Sequence, residues 1–116
     1  MKKMILLALI GMPLMLFGQF TVDGVSINDL AEVNYVSTTA IKSGVSTYYK
    51  VTFDYGQNVK DNKDFTVIAE GEKVRFNSGV HLIHFMEENG WELMNDNVVV
   101  FSAGARPTYF YLFKRK

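Results

Sequence analysis

The stretch HFMEENGWELM, residues 84–94, contains the Asn-Gly pair on which the fold turns. Asn-Gly is the strongest two-residue signal for a β-hairpin, and it is also a common way to stop a helix. The flanking residues decide between the two. Set at about 100° per residue, residues 78–88 place Gly79, Leu82, Ile83 and Met86 on one stripe. His81, His84 and Glu88 fall opposite, with Phe85 at the boundary. That is the period of an amphipathic helix, which Asn77 or Ser78 can cap. Gly90 then lies just past its end, where a left-handed residue closes the last turn, and Trp91 has the spacing to pack back on Met86. Asn89-Gly90 is therefore expected to stop a helix, because a hairpin would need alternation on both sides.

Outward from this helix the chain reads as strands. Residues 91–102 (WELMNDNVVVFS) form one, with an irregularity expected at Asn95-Asp96-Asn97, and residues 108–114 (TYFYLFK) form the last. Upstream, residues 65–76 (FTVIAEGEKVRF) predict two short strands around Glu70-Gly71-Glu72, with Gly71 supplying a positive φ. Residues 46–55 (STYYKVTFDY) give the clearest strand. Its Tyr49, Val51 and Phe53 share one face, and Tyr48, Lys50, Thr52 and Asp54 share the other. Residues 31–39 pair with it in a hairpin turned by Ile41-Lys42-Ser43-Gly44, residues 56–64 form a polar loop, and residues 19–30 read as an irregular lead-in.

The expected architecture is α+β: an antiparallel sheet of five or six strands with one amphipathic helix packed on one face. One helix covers one face, yet the last strand is apolar on both. Tyr109, Tyr111 and Phe113 point one way, and Phe110 and Leu112 the other. One set needs a second cover, which the lead-in, a partner or a second copy of the chain could supply. A half-wet face is the alternative, since tyrosine tolerates partial exposure.

The N-terminus carries Met1-Lys2-Lys3 and then an apolar run over residues 4–17, interrupted by Gly11 and Pro13. A short basic start and an apolar stretch of this length predict a signal peptide over residues 1–18, cut before Gln19, and a single domain over residues 19–116. The run is shorter than the roughly 20 residues that span a bilayer, so no stable membrane span is expected after cleavage. Loss of Lys2 and Lys3 leaves ten basic residues against twelve acidic ones, which gives no electrostatic case for nucleic acid. The chain has no cysteine, which excludes disulfides, zinc-thiolate sites, thiol catalysis and a lipidated N-terminal cysteine. An exported domain of this size must rely on its core, and can bury roughly 60–70% of its unfolded surface.

No constellation carries chemistry by itself. His81, His84 and Glu88 share a helix face at metal-ligand spacing, but there is no third histidine, and a solvated face is the simpler reading. Asp61-Asn62-Lys63-Asp64 has the composition of a calcium loop without its ligand spacing. A carboxylate-dependent hydrolase would need a concave pocket holding at least two of Glu70, Glu72, Glu92, Asp54 and Asp96. Nucleophile elbows, phosphate loops and dinucleotide fingerprints are absent, and no cofactor is implied. Lys114-Arg115-Lys116 reads as a frayed terminus. Trp91 reads as a core anchor, whose replacement by alanine should cost about 3–5 kcal/mol.

Asp54-Tyr55-Gly56-Gln57 after a strand, Phe76-Asn77-Ser78 opening the helix, Leu82 and Met86 within it, Gly90-Trp91-Glu92, and the segment from Tyr109 to Lys114 occur in this order. In that order they resemble a group of small bacterial proteins that share an uncharacterised domain with a Gly-Trp-Glu signature. The resemblance covers about half of residues 19–116. It implies strands, one helix and a terminal hairpin, and no activity. The functional expectation is a small exported binding domain for an unknown protein or small ligand, with a homodimer as its simplest form. The candidate binding residues are Tyr109, Tyr111, Phe113 and Tyr48.

Overall fold

The computed structural model describes residues 19–42, 46–58, 64–100 and 106–116. They form seven strands, one α-helix and a single 3-10 turn: β1 (Phe20–Val22), the turn (Ile27–Asp29), β2 (Tyr35–Lys42), β3 (Tyr49–Asp54), β4 (Val67–Ala69), β5 (Glu72–Lys73), α1 (Gly79–Glu88), β6 (Trp91–Val99) and β7 (Thr108–Arg115). The α+β class is as expected, but the strands split into two antiparallel sheets rather than one sheet of five or six. One sheet runs β1-β4-β5 and the other β3-β2-β7-β6.

The second sheet exists because the lead-in is not irregular. Asp23 and Gly24 both take positive φ, 50° and 83°, and Val22 and Val25 exchange backbone hydrogen bonds across them. This is the two-residue turn that Asp-Gly favours. The Asp23 carboxylate then accepts the amide hydrogens of Phe65 and Thr66, at 3.1 and 2.8 Å, and so ties β1 to β4. The β4–β5 hairpin closes as expected over Glu70-Gly71, where both residues have positive φ.

The helix also forms as read. The Ser78 hydroxyl accepts from the His81 amide, while His81 Nδ1 accepts from the Asn77 amide, a variant of the capping box. Gly90 closes the other end at φ 92°, and Trp91 and Met86 are both fully buried. Asn89 itself is enclosed, and its side chain donates to the Phe85 carbonyl.

Alternation places Val36, Thr38 and Ala40 of β2, Val51 and Phe53 of β3, and Tyr111 and Phe113 of β7 on one buried face of the four-stranded sheet. Leu82 and Met86 of α1 and Phe20, Val22 and Val67 of the small sheet join them in one core. The Phe85 ring meets Phe20 and Phe76 edge-on, at 5.1 and 5.4 Å between centroids. The lead-in thus covers the same face as the helix.

Three local expectations shift. The β2–β3 hairpin is present, but Ile41 and Lys42 still belong to β2, and the rest of the expected turn lies outside the described residues. The irregularity in β6 falls between Leu93 and Asn95, and the strand runs straight through Asn95-Asp96-Asn97. The terminus is not frayed. Arg115 stacks on Trp91, 4.8 Å from the ring centroid, and donates to the carbonyls of Asn28, Leu30 and Val33. Lys116 donates from its backbone to Gly90 and from its side chain to Glu87. Residues 1–18, expected to be a signal peptide, and Asp61-Asn62-Lys63 lie outside the described residues.

Candidate functional site

Strand pairing fixes which residues share the sheet face turned away from the helix. They include Tyr35, Ile41, Phe110 and Leu112, and none of these four belongs to the core cluster. Tyr35 is 52% exposed and Leu112 37%. Phe110 and Ile41 are half-buried. Around this apolar strip stand Ser37, Thr39, Thr52, Asn95 and Asn97. The Thr39 and Thr52 hydroxyls bond to each other across the β2–β3 pair. Tyr35, Ser37, Asp54 and Leu112 border a shallow depression of about 380 Å³.

The sequence-based binding candidates divide. Phe113 is fully enclosed and Tyr111 is 8% exposed, so both serve the core under the helix rather than an accessible surface. The reason is that the helix and the small sheet cover the odd-numbered side of β7 and leave Phe110 and Leu112 outside. Tyr109 is half-buried at the end of that inner face. Its ring lies parallel to Tyr111 at 6.4 Å and tilted to Tyr49 at 6.3 Å. Burial pushes the Tyr111 phenol above its ordinary range, with Tyr109, Asp96 and Tyr49 nearby adding to the effect. Tyr48 is exposed just before β3, with the Arg75 guanidinium 5.3 Å from its ring centroid.

Of the metal candidates, His81 lies with its ring 5.4 Å from Phe76 and its Nδ1 engaged at the helix cap. His84 and Glu88 are exposed, and Glu88 borders a groove with Glu70 and Glu72. Among the described residues, no three such side chains converge to hold an ion. Of the five carboxylates considered for hydrolysis, Glu70 and Glu72 do border one groove of about 360 Å³, shared with Glu88. Both are exposed, whereas a catalytic acid needs shielding from water. Asp54 holds the Gly56 amide, Glu92 is exposed on the outer face, and Asp96 faces Tyr111, so these three lie elsewhere.

Sequence reasoning missed the groove beside Tyr48, bounded by β3 and the β4–β5 hairpin. The clustering of Lys73 and Arg75 was visible in the chain, but their approach to Tyr48 depends on long-range pairing. No helix among the described residues is long and apolar enough to cross a membrane. Comparison with family models, with curated proteins and with solved structures finds no match to this chain.

Proposed function

We propose that the chain is exported and acts as a binding domain that docks a protein partner on the outer face of its four-stranded sheet. The observation that carries this reading is the apolar strip of Tyr35, Ile41, Phe110 and Leu112, which stands apart from the core. A second copy of the chain is the partner the face itself favours. Its margins carry both signs of charge, with Lys50 and Asp54 on β3, Glu92 on β6 and Lys114 on β7, so a second copy meets no single-sign field that would repel it. The leader-like segment at residues 1–18 supports export. The order of Phe76-Asn77-Ser78, Gly90-Trp91-Glu92 and the final aromatic strand supports membership of the Gly-Trp-Glu group, and that resemblance brings no activity with it.

Native mass spectrometry on the protein recovered from cells that express the full chain tests both parts. A dimer beginning at Gln19 is expected, and Leu112→Lys should convert it to a monomer without lowering its melting temperature. A wild-type protein that stays monomeric at the highest concentration it tolerates overturns the dimer. An uncleaved leader in the recovered protein overturns export.

A further inference from the structure

A second surface lies along the β3 edge, beside the outer face and sharing Lys50 with its margin. β3 is an edge strand, paired on one side with β2. At its start, the Tyr49 amide turns outward and donates to the Phe76 carbonyl at 2.7 Å, which joins β3 to the end of the β4–β5 hairpin. Alternation then aims the backbone groups of Val51 and Phe53 the same way. The Phe53 carbonyl accepts from Gln57 Nε2 at 2.8 Å. Nothing among the described residues pairs with the amide or carbonyl of Val51. Those two groups border a groove of about 230 Å³ between β3 and the hairpin.

The groove's chemistry is uneven in a chain whose charges otherwise balance. Lys50, Lys73 and Arg75 line it against one carboxylate, Asp64, and all four residues are exposed. Tyr48, Tyr49, Phe65 and Phe76 supply aromatic walls. Phe65 holds φ at 52°, a conformation rarely adopted by a bulky residue, and the Asp23 carboxylate on its amide holds it there. Proteins normally guard sheet edges with lysine, which repels a second copy of the same strand. Lys50 does this here, since two β3 edges brought together would oppose like charges. The same lysine, with Lys73 and Arg75, favours a strand of the opposite sign.

We propose that the β3 edge is a strand-addition site for an extended acidic peptide. A residue placed opposite Val51 exchanges backbone hydrogen bonds with it, as in other cases of strand addition. Its two neighbours then fall on the face that carries Lys50, where carboxylates meet that ammonium. Arg75, already stacked on Tyr48, presents a planar fork from the far wall to another carboxylate.

The test is a selection of random nonapeptides displayed on phage against the full chain, with the Arg75→Glu variant used for counter-selection. Selected peptides are expected to carry Asp or Glu at alternate positions. A synthetic peptide of the selected sequence should bind about tenfold more weakly to Arg75→Glu or Lys73→Glu. Both replacements are at exposed positions, and an unchanged melting temperature confirms that each variant folds. Bound peptide should slow hydrogen exchange at the Val51 amide, and N-methylation of its central residue should abolish binding. The proposal is overturned if no acidic sequence is enriched over the counter-selection. It is also overturned if the N-methylated peptide binds equally well, if Val51 exchange does not change, or if inorganic phosphate displaces the peptide at equal charge, which would make the groove a plain anion site.

Discussion

Thr38 sits on β2 between Phe53 of β3 and Tyr111 of β7, fully enclosed on the inner face, and its hydroxyl has no hydrogen-bond partner among the described residues. A buried hydroxyl without a partner keeps its desolvation cost and returns nothing. Thr38→Val preserves the branched shape and removes the polar atom, so it should stabilise the fold by about 1 kcal/mol. A denaturant melt reads this as a higher midpoint with unchanged slope, and a lower midpoint would show that the hydroxyl is satisfied. Its neighbour Tyr111 gives a pH-dependent counterpart. Its phenol is held in the neutral form above its ordinary range, chiefly by burial. A group whose folded pKa lies above its unfolded value stabilises fully below the unfolded value, about 10 for tyrosine, and the stabilisation is lost as pH rises through the folded value. The melting temperature should therefore fall as pH rises from about 10 through the folded value. Tyr111→Phe should flatten the fall, and an identical alkaline slope in both proteins would show that Tyr111 does not contribute to it.

At the scale of elements, what the sequence made legible was the helix and its two ends, because capping and stop signals act within one turn. Ser78, Met86, Gly90 and Trp91 all do what their spacing requires. The same chemistry at Asp23-Gly24 went unread because its flanking strands are too short to alternate, and β1's partner β4 lies far along the chain. The shift between Leu93 and Asn95 has no local signal either, since it arises where two long strands must keep step. Alternation in β7 shows which side chains share a face without showing which face is covered, so Tyr111 and Phe113 stand among the binding candidates although both are enclosed. The contact between α1 and the sheet makes the covered side testable. Gly79 opens the helix directly against the Tyr111 hydroxyl, and a methyl added there would collide with it. Gly79→Ala should destabilise by about 1–3 kcal/mol even though alanine is the better helix former. In the Tyr111→Phe background, where the hydroxyl is gone, much of that cost should disappear. Purely additive losses in the double variant would place the penalty elsewhere than this contact.

For the whole molecule, the last two residues close the structure on itself. The small sheet and helix lie on one face of the large sheet, and the segment joining β1 to β2 must be held against its end. Arg115 does this by stacking on Trp91 while donating to the carbonyls of Asn28, Leu30 and Val33, at 3.1, 2.9 and 3.0 Å. Asn28 in turn accepts from the Trp91 indole at 2.7 Å and donates to the Asn89 carbonyl at 2.8 Å. The helix stop, the 3-10 turn and the C-terminus therefore share one polar network around a buried tryptophan. None of this was legible in Lys114-Arg115-Lys116, because a basic terminus has the same sequence whether it frays or docks. The geometry separates charge from shape. Lysine keeps the positive charge of Arg115 but has a single ammonium, which cannot span three diverging carbonyls or lie flat on an indole. Arg115→Lys should therefore cost about 2–3 kcal/mol, close to the loss in Arg115→Ala. Hydrogen exchange should rise first at the amides of Leu30 and Val33, whose own bonds run within this segment to Ile27 and Leu30. If lysine instead matches the wild type, the network acts through charge alone, and the planar fork over Trp91 is not what holds the terminus in place.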